Sequence, residues 1–88
     1  MYRYHVVERR ADQNRLALRC HMGRYHVARA LNVMPSEAVA LNGDKPHLGF
    51  GILLCAASGT VFRVIFESIN HAQLSWAPGW AGASGGDD

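Results

Sequence analysis

Little in this sequence ties it to a particular chemistry. Its 88 residues hold only two cysteines, Cys20 and Cys55, too few for a disulfide scaffold in so short a chain. A pair of small, inward or semi-buried residues kept reduced is the simpler reading. No apolar run reaches the roughly 18–20 residues that a membrane span needs. The opening stretch MYRYHVVERR lacks the apolar core of a secretory leader. These absences together predict a cytoplasmic protein with no membrane association.

Catalytic signatures are missing too. The chain has no GxSxG, no HExxH and no glycine loop set to cradle phosphate before a helix. A hydrolase needs a nucleophile, a base and usually an orienting acid held together, and no spacing here announces such a set. Gly49-Phe50-Gly51 stands at the entry of an apolar stretch, where glycines mark a bulge or close packing. Cys20, His21 and His26 come nearest to a metal cluster. Their spacing matches no paired ligand motif, and adjacent strand residues point to opposite faces. The expectation is a non-enzyme without metal or cofactor.

What the chain does have is apolar alternation. Hydrophobic residues make up 49% and charged ones 18%, which argues for one folded core and against wholesale disorder. Leu48 to Ser68, LGFGILLCAASGTVFRVIFES, is the longest apolar stretch, and its period of two predicts a hairpin. A three-residue loop Ala57-Ser58-Gly59, with Gly59 left-handed, sets Leu54 against Phe62, Ile52 against Val64 and Phe50 against Phe66. Those six would face the core, with Arg63 and Glu67 on the reverse face. A second hairpin is expected from Tyr2 to Arg10 and Arg15 to Met22, turning at Asp12-Gln13-Asn14. Its apolar face is Tyr4, Val6, Leu18, Cys20 and Met22. Its other face carries Arg3, His5, Val7, Arg9, Arg19 and His21, with His5 opposite His21.

Between the hairpins, Tyr25, Ala28 and Leu31 stand at helical spacing, and a helix is expected over Arg24–Met34. Tyr25, Val27, Arg29 and Leu31 also alternate, and a third strand there would complete a meander. The tetrapeptide RYHV occurs twice, at Arg3–Val6 and Arg24–Val27, which is too short to define a repeat. Ser36 can cap a short helix ending before Gly43. Val27 to Val33 followed by Ser36 to Gly43 has the apolar spacing of a helix-turn-helix, with Asn32 in place of the turn glycine. Two helices tucked against a sheet give the same spacing. The fold class read from all this is α+β, ordered ββ-α-α-ββ. It has an antiparallel sheet of about four strands, a helical segment packed on one face and a single domain over residues 1–77. Residues 78–88 read as an irregular to disordered Gly/Ala/Asp tail.

Charge is unevenly spread. Residues 1–29 carry seven arginines against Glu8 and Asp12, a net +5, while the remainder is −3. Arginine interleaved with Tyr and His can hold phosphates and stack on bases. It also suits protein interfaces, where Arg, Tyr and Trp are enriched. The low overall charge favours a protein partner over nucleic acid. The reading is a non-catalytic binding protein that regulates or inhibits a macromolecular partner. Size alone suggests phage or mobile-element inhibitors of host machinery, such as anti-CRISPR proteins, as an instance. The alternative is a nucleic-acid-binding module using the N-terminal face. The residues expected to carry binding are Arg3, His5, Arg9, Arg19, His21, Arg24 and Trp80.

Overall fold

The computed structural model describes residues 1–76 and is built almost wholly of strands. These are β1 (Tyr2–Arg10), β2 (Arg15–Cys20), β3 (Tyr25–Ala30), β4 (Ala40–Gly43), β5 (Gly49–Cys55) and β6 (Thr60–His71), with one 3-10 turn at Ala11–Gln13. They close into an antiparallel barrel in the order β1-β2-β3-β6-β5-β4. The expected α+β layering is therefore wrong: the protein is a six-stranded all-β barrel. Two three-stranded meanders, β1–β3 and β4–β6, are joined by residues 31–39. They are sealed along β3–β6 and β4–β1. With β4 beside β1, the first four strands form a Greek key. Closure pairs strands that would otherwise be exposed edges. Among the described residues no helix is long and apolar enough to cross a membrane.

Both expected helices are strands or turns instead. Over Tyr25–Ala30 the alternation wins, because β3 has hydrogen-bonding partners on both sides, β2 and β6. Ala28 fits fully buried among the larger core side chains. A helix there would leave both neighbouring edges open. Ser36 starts no helix. Ala38 adopts a left-handed conformation (φ 66°) and its N–H donates to Val6 O. Val6 N–H donates in turn to Val39 O, so this segment prolongs the β1–β4 seam.

The first hairpin turns at Asn14, left-handed (φ 54°) as expected, but the loop is four residues, with Arg10 rather than Ala11 paired to Arg15. Tyr4, Val6, Leu18 and Cys20 face the core. The longer turn and a bulge between Val6 and Glu8 each shift the register by one, which sets Tyr4 against Cys20 and His5 against Arg19. Met22 falls beyond the strand and is exposed. The two RYHV copies are used in opposite phase. Tyr4 and Val6 face inward from β1 while His5 faces out; in β3 it is His26 that is buried in the interior. The ring of His26 then stands edge-on to Tyr4 at 5.8 Å.

The second hairpin turns through a loop one residue longer than expected. Cys55 pairs with Thr60, Leu53 with Phe62 and Gly51 with Val64. The loop is four residues, with Gly59 left-handed (φ 75°) and its N–H donating to Cys55 O at 2.7 Å. Phe62, Val64 and Phe66 are in the core as expected. A one-residue slip turns every side chain of a strand over, so Leu53 is buried while Phe50, Ile52 and Leu54 are exposed. The reason is space. Tyr4, His26, Phe62 and Phe66 already fill a narrow interior, and a small barrel accepts small residues opposite large ones. A Cβ on Gly51 would lie 2.8 Å from Cε2 of Phe66. Gly51→Ala is accordingly expected to lower stability by about 1–3 kcal/mol through overpacking, measured as a reduced urea midpoint with an unchanged slope. An unshifted midpoint would mean the Phe66 ring is free to move.

Candidate binding surfaces

Three places in the barrel hold side chains that the fold alone does not explain. The first is the outer wall of β1–β2. His5, Arg19 and His21 come together there with Val7 and Cys20 around a cavity of about 250 Å³. His5 and Arg19 are direct partners in the ladder. Just past β2, the His21 N–H donates to Arg3 O at 2.9 Å, and its Nδ1 accepts the Arg3 N–H at 3.1 Å. With Nδ1 accepting, the ring proton sits on Nε2 and is available as a donor. Tyr2 lies against the His21 ring, centroids 4.8 Å apart, and the Arg19 guanidinium stands 5.8 Å from the Tyr25 ring centroid.

Of the residues expected to carry binding, the structure gathers His5, Arg19 and His21, with Arg3 exposed beside them. The bulge separates Arg9, which pairs with Leu16 on its far side. Arg24 is exposed in the β2–β3 turn, where its carbonyl accepts the Cys20 N–H. Trp80 and the tail at 78–88 lie outside the described residues. Trp76 is half-buried: the Arg10 guanidinium lies 4.2 Å from its ring centroid, and Arg15 donates to its carbonyl at 2.6 Å.

The second place is the opposite wall, β5–β6. Phe50 and Ile52 are each half exposed, Leu54 and Val61 nearly 40%, and Leu48 beyond them is 58% exposed. The ladder sets Phe50 beside the half-buried Ile65, Leu54 beside Val61 and Ile52 beside Arg63. The result is a continuous apolar strip with one guanidinium in it. Sequence reasoning placed Phe50, Ile52 and Leu54 in the core and so missed this surface. A signal was present: GFGILLC is apolar in both phases, and a strand walling a one-layer barrel buries only one of them.

The third place is inside the barrel, at the β3–β6 bulge. Ile69 and Asn70 stand there opposite the single residue His26, Asn70 being left-handed (φ 62°). The Asn70 N–H donates to His26 Nδ1 at 3.0 Å. His26 Nε2, Ser68 Oγ and His71 Nε2 are buried without a protein hydrogen-bond partner. Burial, and secondarily the neighbouring His71, lower the His26 pKa from 6.5 to about 4. The ring is neutral near pH 7, and its Nε2 carries the proton. That nitrogen is therefore unsuited to take a proton from Ser68 or to ligate a metal. Among the described residues no group of three His, Cys, Asp or Glu side chains is placed to hold a metal ion. Cys20 and Cys55 are free thiols, one buried and one half-buried.

No family model, curated protein or solved structure matches this chain. The function rests on what these side chains can do. The interior His/Ser group has no nucleophile hydrogen-bonded to a base. The two outer walls offer recognition chemistry, one cationic and concave, the other apolar and exposed. In a six-stranded ring, β1–β2 and β6–β5 are diametrically opposed.

Proposed function

We propose that this is a non-catalytic, cytoplasmic binding protein that regulates or blocks a protein partner, docking it on the β5–β6 wall. One observation carries the reading: Phe50, Ile52, Leu54 and Val61 form an exposed apolar strip on a barrel whose core is complete without them. Contiguous apolar surface of this kind marks interaction sites in soluble proteins. Phe and Arg are both enriched where proteins meet. Arg63 stands in the middle of the strip, opposite Ile52. Its backbone N–H is taken by Asn32 Oδ1 at 2.9 Å, which pins the strand there. Its guanidinium has no carboxylate at ion-pair distance among the described residues. The matching partner surface is apolar with a carboxylate at its centre.

The test compares proteins captured from the native host by the wild type and by a Phe50→Ser/Ile52→Lys variant. Both side chains are half exposed, so the variant is expected to melt close to the wild type. A protein retained by the wild type should be lost by at least about tenfold, the effect of removing a central anchor. The captured protein, once purified, should bind with little change between about 50 and 200 mM salt. Steep weakening over that range would indicate phosphate contacts and the nucleic-acid alternative. Equal capture by both proteins would overturn the assignment of this wall.

A further inference from the structure

We propose that the pocket on the β1–β2 wall binds the phosphate group of a small phosphorylated molecule. Its polar lining is donor-rich and carries no carboxylate: His5, Arg19 and His21, with Val7 and Cys20 completing it. Arg19 makes no ion pair among the described residues. The ion pairs among the described residues are those of Arg15 and Arg29, and both go to Glu67. Its guanidinium rests near the Tyr25 ring and reaches toward the β2–β3 turn. A Cβ on Gly23 would lie 3.6 Å from its terminal nitrogen. The left-handed backbone at Gly23 (φ 80°) is what the turn requires of a glycine there.

His21 is pre-set as a donor. The Arg3 N–H donates to its Nδ1 and the Tyr2 ring lies against the imidazole, while its backbone N–H is held by Arg3 O, so that Nε2–H is the free end. The bulge after Val6 supplies the remaining shape. It lets Val7 face outward as an apolar side of the pocket while Glu8 moves on to pair with Ala17. An arginine fork with one imidazole from β1 and one from the turn after β2 suits a tetrahedral oxyanion, which has acceptors in several directions. A planar carboxylate is satisfied by the arginine fork alone. A cavity of about 250 Å³ holds a phosphate and a few further atoms, which points to a small ester. Arg3, on the same side of β1, adds to the positive field at the mouth.

The experiment titrates isotope-labelled protein at low salt with inorganic phosphate, glycerol phosphate and acetate in turn, following backbone amides. Both phosphate compounds are expected to shift residues 3–7 and 19–23 saturably, with dissociation constants of millimolar order or tighter, and the ester at least as tightly as the free ion. Acetate should not saturate over the same range. Arg19→Gln should weaken phosphate binding at least about tenfold, and His21→Gln several-fold, with the rest of the spectrum unchanged. Absence of saturation by phosphate, or full retention of binding in Arg19→Gln, overturns the proposal. Saturation by acetate at equal concentration overturns the choice of phosphate, and exclusion of the ester overturns the choice of a small phosphorylated molecule. These outcomes are independent of the β5–β6 wall, because Phe50→Ser/Ile52→Lys leaves this pocket intact and should bind phosphate as the wild type does.

Discussion

Val64→Asp is expected to abolish cooperative folding, while Ile52→Asp should leave a folded protein. Val64 is fully buried in the core between Gly51 and Ala30, its partners on either side. The buried polar residues of the barrel are His26 and Ser68, and neither is a cation able to neutralise a carboxylate there. Burying an unpaired carboxylate costs several kcal/mol. A domain of this size has a total stability of roughly 4–13 kcal/mol, so the folded state would be largely lost. Ile52 lies one residue from Gly51 on the same strand but is half exposed. Placing Asp there changes stability by about 0.5 kcal/mol or a little more, through lost strand propensity and surface burial. Urea melts of the two variants separate the registers directly. The register of a three-residue loop, with Ile52 opposite Val64 in the core, requires both to unfold. A folded Val64→Asp, or an unfolded Ile52→Asp, would refute the closed barrel's β5–β6 pairing.

That pair of substitutions also marks the boundary of what alternation can convey. Four of the six strands, both left-handed hairpin residues and the inward face of β6 follow from local pattern. Asn14 and Gly59 tolerate the backbone geometry needed, and Phe62, Val64 and Phe66 repeat at every second position. The phase of β5 does not follow. Local bulk favours Phe50, Ile52 and Leu54 as the core face, yet the inward residues are Gly51 and Leu53, because rings from β1, β3 and β6 have taken the space opposite Gly51. Residues 25–30 carry a helical and an extended pattern at once. Only the simultaneous need of β2 and β6 for a partner decides between them. The basic site was half visible for the same reason. Alternation put His5, Arg19 and His21 on one face, but the bulge after Val6 removes Arg9, and a bulge at Val7 has no strong local signature.

The two outer walls imply a division of labour. Only β4 separates the strands of the basic pocket from the apolar strip on one side, and only β3 on the other. A ligand in the pocket and a protein on the strip would not collide. Each strand that separates them is hydrogen-bonded to both walls, so occupancy of one site can bear on the other through the ladder without direct contact.

Acidification from pH 6.5 to 4 should destabilise the barrel by about 3 kcal/mol through His26 alone. Its folded pKa of about 4 lies below the ordinary 6.5, held down first by burial and then by His71. The folded state therefore resists protonation that the unfolded chain accepts. The stability this contributes is complete above pH 6.5 and is lost as the pH falls toward 4. The structural cost is specific: protonating Nδ1 removes the acceptor for the Asn70 N–H and places a charge against Tyr4, Phe66 and His71. The β6 bulge should loosen first. His47 does not offset this. Its two ring nitrogens face the carbonyls of Lys45 and Phe50 at 3.1 and 2.8 Å, and only the imidazolium donates to both. Those bonds raise its pKa. Its contribution is already complete below pH 6.5 and fades only as the pH rises through the raised value. Carboxylates also titrate in acid, so the measurement is a difference between wild type and His26→Phe, which keeps an aromatic ring and cannot ionise. The variant should be less stable at pH 7, where it lacks the bond to Asn70. Its disadvantage should shrink steadily between pH 6.5 and 4 as the wild type loses stability and the variant does not. A wild-type-minus-variant difference that stays flat over that window would show that His26 is not held neutral by the barrel interior.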